Sequence, residues 1–236
     1  MPIGPRVDAS PARRPGRTTM AGRLVTLTPL DLLAHGDALY EGTRGEANDP
    51  LWLYLFEGPF RDRTAFDLHL QKAAASADPM FFAILDRASG AAAGYAAYMR
   101  IEPVHRVIEV GSILYTPHLQ RTPLATEAMY LMARHVFEDL GYRRYEWKCN
   151  ALNAPSRRAA LRFGFTFEGI FRQHMIVKGR NRDTAWFSML DSEWPSRKAN
   201  FERWLDPANF GPDGRQKLSL STLNEVPGTS PSTAGS

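Results

Sequence analysis

The stretch SILYTPHLQRTPLATEAMYLMARHVFEDL, residues 112–140, decides the fold of this chain. An apolar run ends at Tyr115, and a loop around residues 120–121 leads into an amphipathic helix. Thr122 is a suitable N-cap, and Pro123 suits the first helical position, where a missing N–H costs nothing. The helix has one apolar stripe, made of Ala125, Ala128, Met129, Met132, Val136 and Leu140. The charged residues that stay off this stripe are Glu127, Arg134 and Glu138.

The start of this helix has the features of a phosphate-binding site. Its first N–H groups lie at the end of a strand, beside the basic residue Arg121. Free helix N–H groups and a nearby positive charge both favour an anion. An ordinary strand–helix connection that carries a surface arginine explains the same residues. Taken alone, the stretch favours that simpler interpretation, because such units are common.

Length and composition predict one domain between two poorly packed ends. The chain has 236 residues, 44% of them hydrophobic, which is enough for a full core. Pro, Arg, Ser and Thr dominate the first residues, and Pro, Gly, Ser and Thr dominate again from Asp206 onwards. Such composition is typical of disorder. We expect a single domain at residues 22–205, a disordered N-terminal arm at 1–21 and a disordered C-terminal tail at 206–236.

Charge and cysteine content exclude several classes of protein. A formal net charge of +4 does not demand a nucleic-acid partner and suits an anionic cofactor equally well. The single cysteine, Cys149, excludes an internal disulfide and fits a reducing compartment such as the cytoplasm. No apolar run has the length of a membrane span, and the six histidines lack ligand spacing. We therefore expect neither a membrane anchor nor a metal site.

Periodicity and turn residues predict the order β-α-α-β-β-β-α-β-α-β-β, a mixed α/β layer. Three successive strands joined by tight turns precede the helix at 123–140 and indicate an antiparallel meander. The predicted strands are 24–27, 81–85, 94–101, 106–115, 142–150, 165–171 with 174–178, and 184–190. The predicted helices are 30–40, 64–77, 123–140 and 153–164.

An aromatic-rich segment, DPLWLYLFEGPF at residues 49–60, does not follow a helical or a strand period. Core packing under a loop explains most of its residues. The functional alternative is one wall of a substrate groove, formed by Trp52, Tyr54 and Phe56, because aromatic loops commonly line pockets.

Three motifs together carry a resemblance to a known family. The first is the loop Gln120-Arg121-Thr122-Pro123-Leu124-Ala125, the second is Glu109-Val110-Gly111, and the third is Asn153-Ala154-Pro155-Ser156 followed by Phe163-Gly164-Phe165. With the order of elements, they resemble the GNAT superfamily of acetyl-CoA-dependent N-acetyltransferases, in its RimJ/RimL-like branch. The loop resembles the family's pyrophosphate motif Q/R-x-x-G-x-G/A and departs from it at Pro123. The resemblance covers about residues 22–205.

This resemblance implies a mixed, mostly antiparallel central sheet of about seven strands flanked by helices, and acetyl-CoA as co-substrate. The pantetheine arm would pair with strand backbone and contact Asn153 and Ser156, and the pyrophosphate would lie on the loop. Arg158 and Arg162 would meet the 3′-phosphate, unless they form only a solvated helix face. The implied cofactor-binding residues are Ile113, Leu114, Tyr115, Gln120, Arg121, Thr122, Pro123, Leu124, Ala125, Thr126, Asn153, Ser156, Arg158 and Arg162.

The chemistry implied by the resemblance needs a base for the attacking amine. Glu109 is the candidate, because a carboxylate desolvated inside an apolar strand holds a proton more readily than a solvated one. A structural salt bridge with Arg106 or Arg100 explains Glu109 equally well from the residues alone. The family resemblance favours the base.

The leaving thiolate needs a proton. Many family members supply it from a tyrosine whose position in this chain is Ala160. Ser156, or a water held near Asn153, is therefore the candidate donor. Both residues also have a purely structural explanation, because they suit the cap and first turn of a helix.

We therefore expect an N-acetyltransferase whose acceptor is a primary amine: a protein N terminus or lysine, or a small molecule. Trp52, Tyr54, Phe56 and Glu109 would line the acceptor side. One alternative is a non-catalytic acyl-CoA-binding or regulatory module, which Pro123 and the missing tyrosine would suit. Another is a ribosome- or RNA-associated binding protein that uses the basic N-terminal arm. A monomer and a homodimer are both compatible with the sequence.

Overall fold

The computed structural model describes residues 3–225. One eight-stranded sheet runs through it in the order β1-β2-β3-β4-β5-β6-β8-β7. Every neighbouring pair is antiparallel except β5 with β6, which is parallel. The strands are β1 (Met20–Ala21), β2 (Val25–Pro29), β3 (Met80–Asp86), β4 (Ala92–Glu102), β5 (Val107–Tyr115), β6 (Arg144–Asn150), β7 (Thr166–Val177) and β8 (Arg180–Leu190). The predicted mixed sheet is confirmed, and the short β1 is the strand that periodicity did not predict.

Helices cover both faces of this sheet. They are α1 (Leu32–Thr43), α2 (Arg63–Ala75), α3 (Pro123–Arg134), α4 (Ala154–Arg162), α5 (Trp194–Leu205) and α6 (Leu220–Asn224). The predicted helix at 123–140 is confirmed as α3 followed by a π-helical turn, His135–Asp139. The aromatic segment begins in a 3₁₀ turn, Glu46–Trp52, and is otherwise irregular.

The two faces of the sheet build two cores. One core lies on the side of α3 and α5 and contains β5 residues Ile108 and Val110. The other lies on the side of α1 and α2 and contains Met99 and Leu114. A strand exposes alternate side chains to alternate faces, so the side chain of Glu109, which lies between Ile108 and Val110, points towards the side of α1 and α2.

Glu127 departs from its prediction, since it is buried inside α3's packing rather than solvated. Its side chain is only 5% exposed. The carboxylate accepts three backbone N–H groups at the turn into β2, from Arg23 (3.0 Å), Leu24 (2.6 Å) and Val25 (2.8 Å). A buried carboxylate is tolerated when hydrogen bonds replace its water. Glu127 thus joins the edge of the sheet to α3.

Part of the predicted C-terminal tail is folded. Residues 207–209 form a 3₁₀ turn, and Leu220 in α6 is fully buried. The amide of Asn224 donates to the carbonyl of Arg162 at the end of α4. The arm, by contrast, forms no helix or strand over residues 3–19, although Arg13 N–H donates to the Leu140 carbonyl. Residues 1–2 and 226–236 lie outside the described residues, so the predictions for them are untested.

We predict that Glu127→Ala lowers the free energy of unfolding by about 3 kcal/mol or more, because it leaves three buried N–H groups without an acceptor. Urea unfolding measures this. The control is Glu102→Ala, which removes an exposed carboxylate at the end of β4. We expect it to change stability by no more than about 0.5 kcal/mol. Equal effects of the two substitutions would contradict the anchoring role of Glu127.

Candidate active site

The parallel strands β5 and β6 stay together for only part of their length. They pair from Val107 with Arg144 to Val110 with Trp147. Beyond these pairs, β5 continues against β4 alone and β6 against β8 alone. Backbone groups on the facing edges of residues 111–115 and 148–150 therefore have no strand partner in the described structure. We call the gap between these two edges the wedge. An extended ligand that enters the wedge can pair with the free backbone groups as an added strand would.

A bulge in β5 lies at the mouth of the wedge. Ala97 pairs with Gly111 and Tyr95 pairs with Leu114, which leaves one extra residue in β5. Ser112 takes a left-handed backbone there, with φ of 48°. An extra residue exchanges the two faces of a strand. Leu114 accordingly joins the core beside α1 and α2, while Ile113 and Tyr115 pack on the other side.

The start of α3 lies directly after β5. Thr122 is the N-cap and Pro123 occupies the first turn, as predicted. The N–H groups of Arg121, Thr122 and Leu124 meet no acceptor within residues 3–225. The Ala125 N–H makes a long contact of 3.4 Å with the Thr122 hydroxyl. These donors sit at the positive end of a helix, so the loop has the chemistry of a phosphate site in spite of Pro123.

Asn153 and Ser156 come together at the start of α4, close to β6. Asn153 caps α4 by accepting the Ser156 N–H at 3.1 Å. The Ser156 hydroxyl oxygen accepts from Trp147 Nε1 at 3.0 Å, which leaves its own hydrogen free to donate. Burial raises the pKa of the neighbouring Cys149 thiol, so Cys149 stays a neutral core residue. Position 160 holds a fully buried alanine.

Several predicted cofactor contacts are placed differently from expectation. Arg162 turns inward, where it donates to the Thr126 hydroxyl at 3.0 Å and stacks on Trp204 at 4.7 Å. Arg158 is exposed, so the two arginines do not form one phosphate-binding pair. The Gln120 amide donates to the Tyr115 carbonyl at 3.2 Å and occupies one backbone acceptor that the pantetheine prediction used.

On the side of α1 and α2, a row of charged side chains crosses the sheet. Glu109 is 2% exposed, and its Oε2 accepts from Arg100 Nη1 at 2.6 Å and contacts Lys148 Nζ at 3.0 Å. Lys148 also binds Glu146 at 2.6 Å, and Arg144 joins Glu146 at 2.6 Å. The row continues from Arg144 to Glu168. Carboxylates and cations thus alternate along it.

This row corrects the idea that Glu109 sits in apolar surroundings, because Arg100 and Lys148 both contact it. Glu109 Oε1 nevertheless meets no partner among the described residues. A Cβ built on Gly111 would lie 3.3 Å from this oxygen, so Oε1 faces the beginning of the bulge. One carboxylate oxygen is held by cations, and the other is directed at the mouth of the wedge.

The aromatic segment contacts the loop after β6 and Arg182 in β8. Trp52 is 1% exposed and packs on Phe60 and Phe66, so it belongs to the core and not to a groove wall. The Tyr54 hydroxyl donates to the Leu152 carbonyl at 3.2 Å. Phe56 is 40% exposed and lies under the guanidinium of Arg182, at 5.3 Å. Tyr54 and Phe56 therefore face β6 and β8, as a groove wall would.

A lysine in the turn between β7 and β8 holds the aromatic segment in place. Lys178, in the turn between β7 and β8, donates to the carbonyls of Trp52 (2.8 Å) and Glu57 (3.1 Å). Burial lowers the pKa of its ammonium group. This contact fixes the distance between the aromatic segment and the sheet.

Sequence reasoning named Arg100 as a possible partner of Glu109, which the structure confirms, but it missed Lys148 and Glu146. Lys148 and Glu146 belong to the polar face of β6, which the alternation of Tyr145, Trp147 and Cys149 had already separated from the apolar face. That alternation was the available signal.

Among residues 3–225 no cluster of His, Cys, Asp and Glu has the geometry of a metal site. Nor does the described part of the chain hold a helix long and apolar enough to cross a bilayer.

Comparisons with known proteins agree with this architecture. The family model described as acetyltransferase (GNAT) domain matches residues 26–166. The crystal structure of a GCN5-related N-acetyltransferase from Brucella melitensis is 52% identical with a TM-score of 0.90, over 93% of this chain and 99% of that chain. The GNAT-family acetyltransferase from Bacillus anthracis shares the fold at 17% identity, with a TM-score of 0.64 over 75% of this chain and 100% of that chain.

A curated relative adds a more distant match. The ribosomal-protein-serine acetyltransferase of Escherichia coli (strain K12) is 32% identical over 101 residues, which are 42% of this chain and 56% of that protein. This chain spans less than two thirds of the length of the curated relatives it matches.

A mixed sheet that opens between two parallel strands, above the start of a helix, is the class of fold that these acetyltransferases share. The chain belongs to the acetyltransferase (GNAT) family. Its distant relatives include a ribosomal-protein acetyltransferase, in agreement with the RimJ/RimL-like motifs.

We predict that Lys148→Met lowers the free energy of unfolding by about 3–5 kcal/mol, because it leaves two buried carboxylates without their shared cation. Lys198→Met is the matched control, since Lys198 pairs with Glu138 at the surface. A surface pair contributes about 0–1 kcal/mol. Denaturant unfolding compares the two variants, and a Lys148 effect as small as the control's would show that the charged row is not a cooperative part of the fold.

Proposed function

We propose that this protein transfers the acetyl group of acetyl-CoA to a primary amine by direct attack in a ternary complex. The observation that carries this proposal is the wedge between β5 and β6, with free helix donors at one end and Glu109 Oε1 at its mouth. The wedge separates a face suited to an anionic cofactor from a face suited to an amine. Direct transfer needs both reactants to meet at one point between such faces.

The residues present fit acetyl-CoA. The open backbone edges of β5 and β6 suit the amides of a pantetheine arm, and the free N–H groups of Arg121, Thr122 and Leu124 suit a pyrophosphate. When bound, acetyl-CoA supplies an activated acyl group and a thiolate leaving group. Family membership supports this co-substrate.

Glu109 is the proposed base. An amine attacks only when neutral, and most primary amines are protonated near neutral pH. Glu109 Oε1 is free and faces the bulge, so it is placed to accept the amine proton directly or through one water. Arg100 and Lys148 hold Oε2 and therefore fix the direction of Oε1. A purely structural ion pair is the competing explanation, which the experiment below separates.

Ser156, or a water held near Asn153, is the proposed hydrogen-bond donor to the departing thiolate; the proton that the thiolate takes up comes from solvent and is balanced by the one that Glu109 accepts from the amine. Trp147 Nε1 donates to the Ser156 oxygen, and the serine hydrogen can be donated to the neighbouring Cys149 sulfur or to a bound ligand. Ala160 carries no polar group that could replace it. Asn153 positions Ser156 through the first turn of α4.

The acceptor is a primary amine that enters beneath the aromatic segment, past Tyr54 and Phe56. The Escherichia coli relative acts on a ribosomal protein according to its name, which supports a protein N terminus as one acceptor class. Lysine side chains and small amines are the other classes. A cytoplasmic location and a monomeric or homodimeric state stay predictions. A non-catalytic acyl-CoA-binding module and a ribosome-associated binding protein are the alternatives that the assay must exclude.

We expect free thiol release from acetyl-CoA in the presence of amines or N-terminal peptides, and a drop in kcat of about 10²- to 10⁴-fold in Glu109→Gln, the range for loss of a general base. Acetyl-CoA affinity, measured by calorimetric titration, should stay within about twofold of the wild type, because Glu109 lies on the acceptor side. Thermal unfolding verifies that the variant is folded.

Glu102→Gln is the control, since Glu102 is exposed at the far end of β4. Unchanged turnover in Glu109→Gln would remove its assignment as base. Tight acetyl-CoA binding by the wild type without thiol release for any amine would favour the non-catalytic module instead.

A further inference from the structure

One buried cation on the acceptor side has no partner. Arg182, in β8, is 8% exposed, yet no carboxylate, carbonyl or hydroxyl within residues 3–225 accepts a hydrogen bond from its guanidinium. Its Nε is fully shielded and unpaired. The guanidinium lies over the ring of Phe56, at 5.3 Å. Nη1 and Nη2 are not among the shielded atoms, but a shielded Nε–H without an acceptor is costly and calls for a ligand or another explanation.

The neighbouring carboxylates are already used. Glu109, Glu146 and Glu168 are each contacted by cations of the charged row, namely Arg100, Lys148 and Arg144. Three carboxylates and three cations balance along this row. Asp183, next to Arg182, accepts instead from the Gln173 N–H and from Asn181. Arg182 is therefore a surplus positive charge on this face.

The position of Arg182 places this charge at the proposed acceptor site. Along β8, residues 182 and 186 share a face, and Trp186 packs against Lys148 at 3.9 Å. Burial lowers the pKa of the Arg182 guanidinium, while the nearby Cys149 and Glu109 oppose this shift. Lys148 in turn contacts Glu109 at 3.0 Å, so Trp186 and Lys148 connect the face that carries Arg182 to the proposed base. The aromatic segment, through Phe56, covers it.

A second donor on the same face is also unsatisfied. Trp186 Nε1 is shielded from solvent and meets no acceptor among the described residues. The Trp186 N–H and the Arg182 guanidinium are both donors that lack acceptors here. An amine or ammonium group of a ligand could not satisfy them, because it would bring only further donors. The missing chemical group is therefore an acceptor that carries negative charge, and a carboxylate matches the planar donor fork of arginine.

We propose that Arg182 binds a carboxylate of the acceptor, so that the substrate class is a primary amine with a carboxylate close to the amine. This inference rests on the proposed function, because it assigns the specificity of the same site. Two sources supply such a group: the α-carboxylate of a free amino acid, or the side chain of an acidic residue at a peptide N terminus.

Matched acceptors distinguish these sources. One pair is alanine and alanine amide, and the other is an amidated tripeptide that begins with aspartate and the same peptide that begins with asparagine. Thiol release from acetyl-CoA gives kcat/KM for each. We expect the wild type to prefer the carboxylate member of at least one pair, by about 10- to 100-fold, the range for a hydrogen bond to a charged group.

Arg182→Met keeps a straight stem that can pack on Phe56 but removes the charge and the donors. We expect it to abolish the preference by lowering kcat/KM for the carboxylate member alone, with the KM for acetyl-CoA unchanged. Arg180→Met, an exposed residue two positions away, is the control and should keep the preference. An equal loss on both members of each pair, or a wild type without any preference, would overturn the proposal.

A binding measurement keeps this test separate from the proposed function. Calorimetric titration with N-acetylalanine and N-acetylalanine amide, and with the two N-acetylated tripeptides, requires no turnover. Tighter binding of a carboxylate member to the wild type, lost in Arg182→Met, supports the proposal even where thiol release fails for every amine. Equal binding of both members of each pair overturns it, whatever the catalytic assay shows.

Discussion

The limited pairing of β5 with β6 is the constraint on which the rest of the site depends. A parallel pair needs a crossover connection, and α3 with its loop supplies it. Because β5 turns off into this loop while β6 continues against β8, the strands part beyond Val110 and Trp147. The opening leaves backbone groups unpaired where a buried sheet would normally satisfy them. The free N–H groups at the start of α3 lie beside the same opening.

The bulge at Ser112 adds a second consequence of the same geometry. Before it, Ile108 and Val110 face α3, and Glu109 faces α1 and α2; after it, Leu114 takes the side of Glu109. A single extra residue thereby places a carboxylate and an open backbone edge side by side. Gly111 has no side chain between them, and a Cβ there would also meet Met99 Sδ at 2.5 Å.

Opposite signs of charge let the acceptor face remain buried. The charged row is stable because each carboxylate has a cation beside it, and its members leave little surplus for a substrate. Arg182 Nε and Trp186 Nε1 are shielded donors on this face that meet no acceptor in the described structure. The aromatic segment, to which Lys178 donates two hydrogen bonds, contacts Arg182 through Phe56. The proposed specificity on this side rests on these unpaired donors inside an otherwise balanced surface.

The sequence by itself determined the order of elements, the helix cap at Thr122 followed by Pro123, the alternation of side chains along β6, and the family motifs. It could do so because caps, periods and turns depend on residues that are close together in the chain. From the residues alone, it left Glu109 equally compatible with a base and an ion pair, Trp52 with the core and a groove wall, and Arg162 with a phosphate contact and a solvated helix face. Tertiary structure decided where these side chains lie, whereas the role of Glu109 as base stays a proposal. Lys148 and Arg182 reach the site from β6 and β8, and Trp52 and Arg162 meet their aromatic neighbours only after the chain has folded. Contacts between segments that are distant in the chain have no local signal in the sequence. The same holds for charged groups that the fold leaves without a partner.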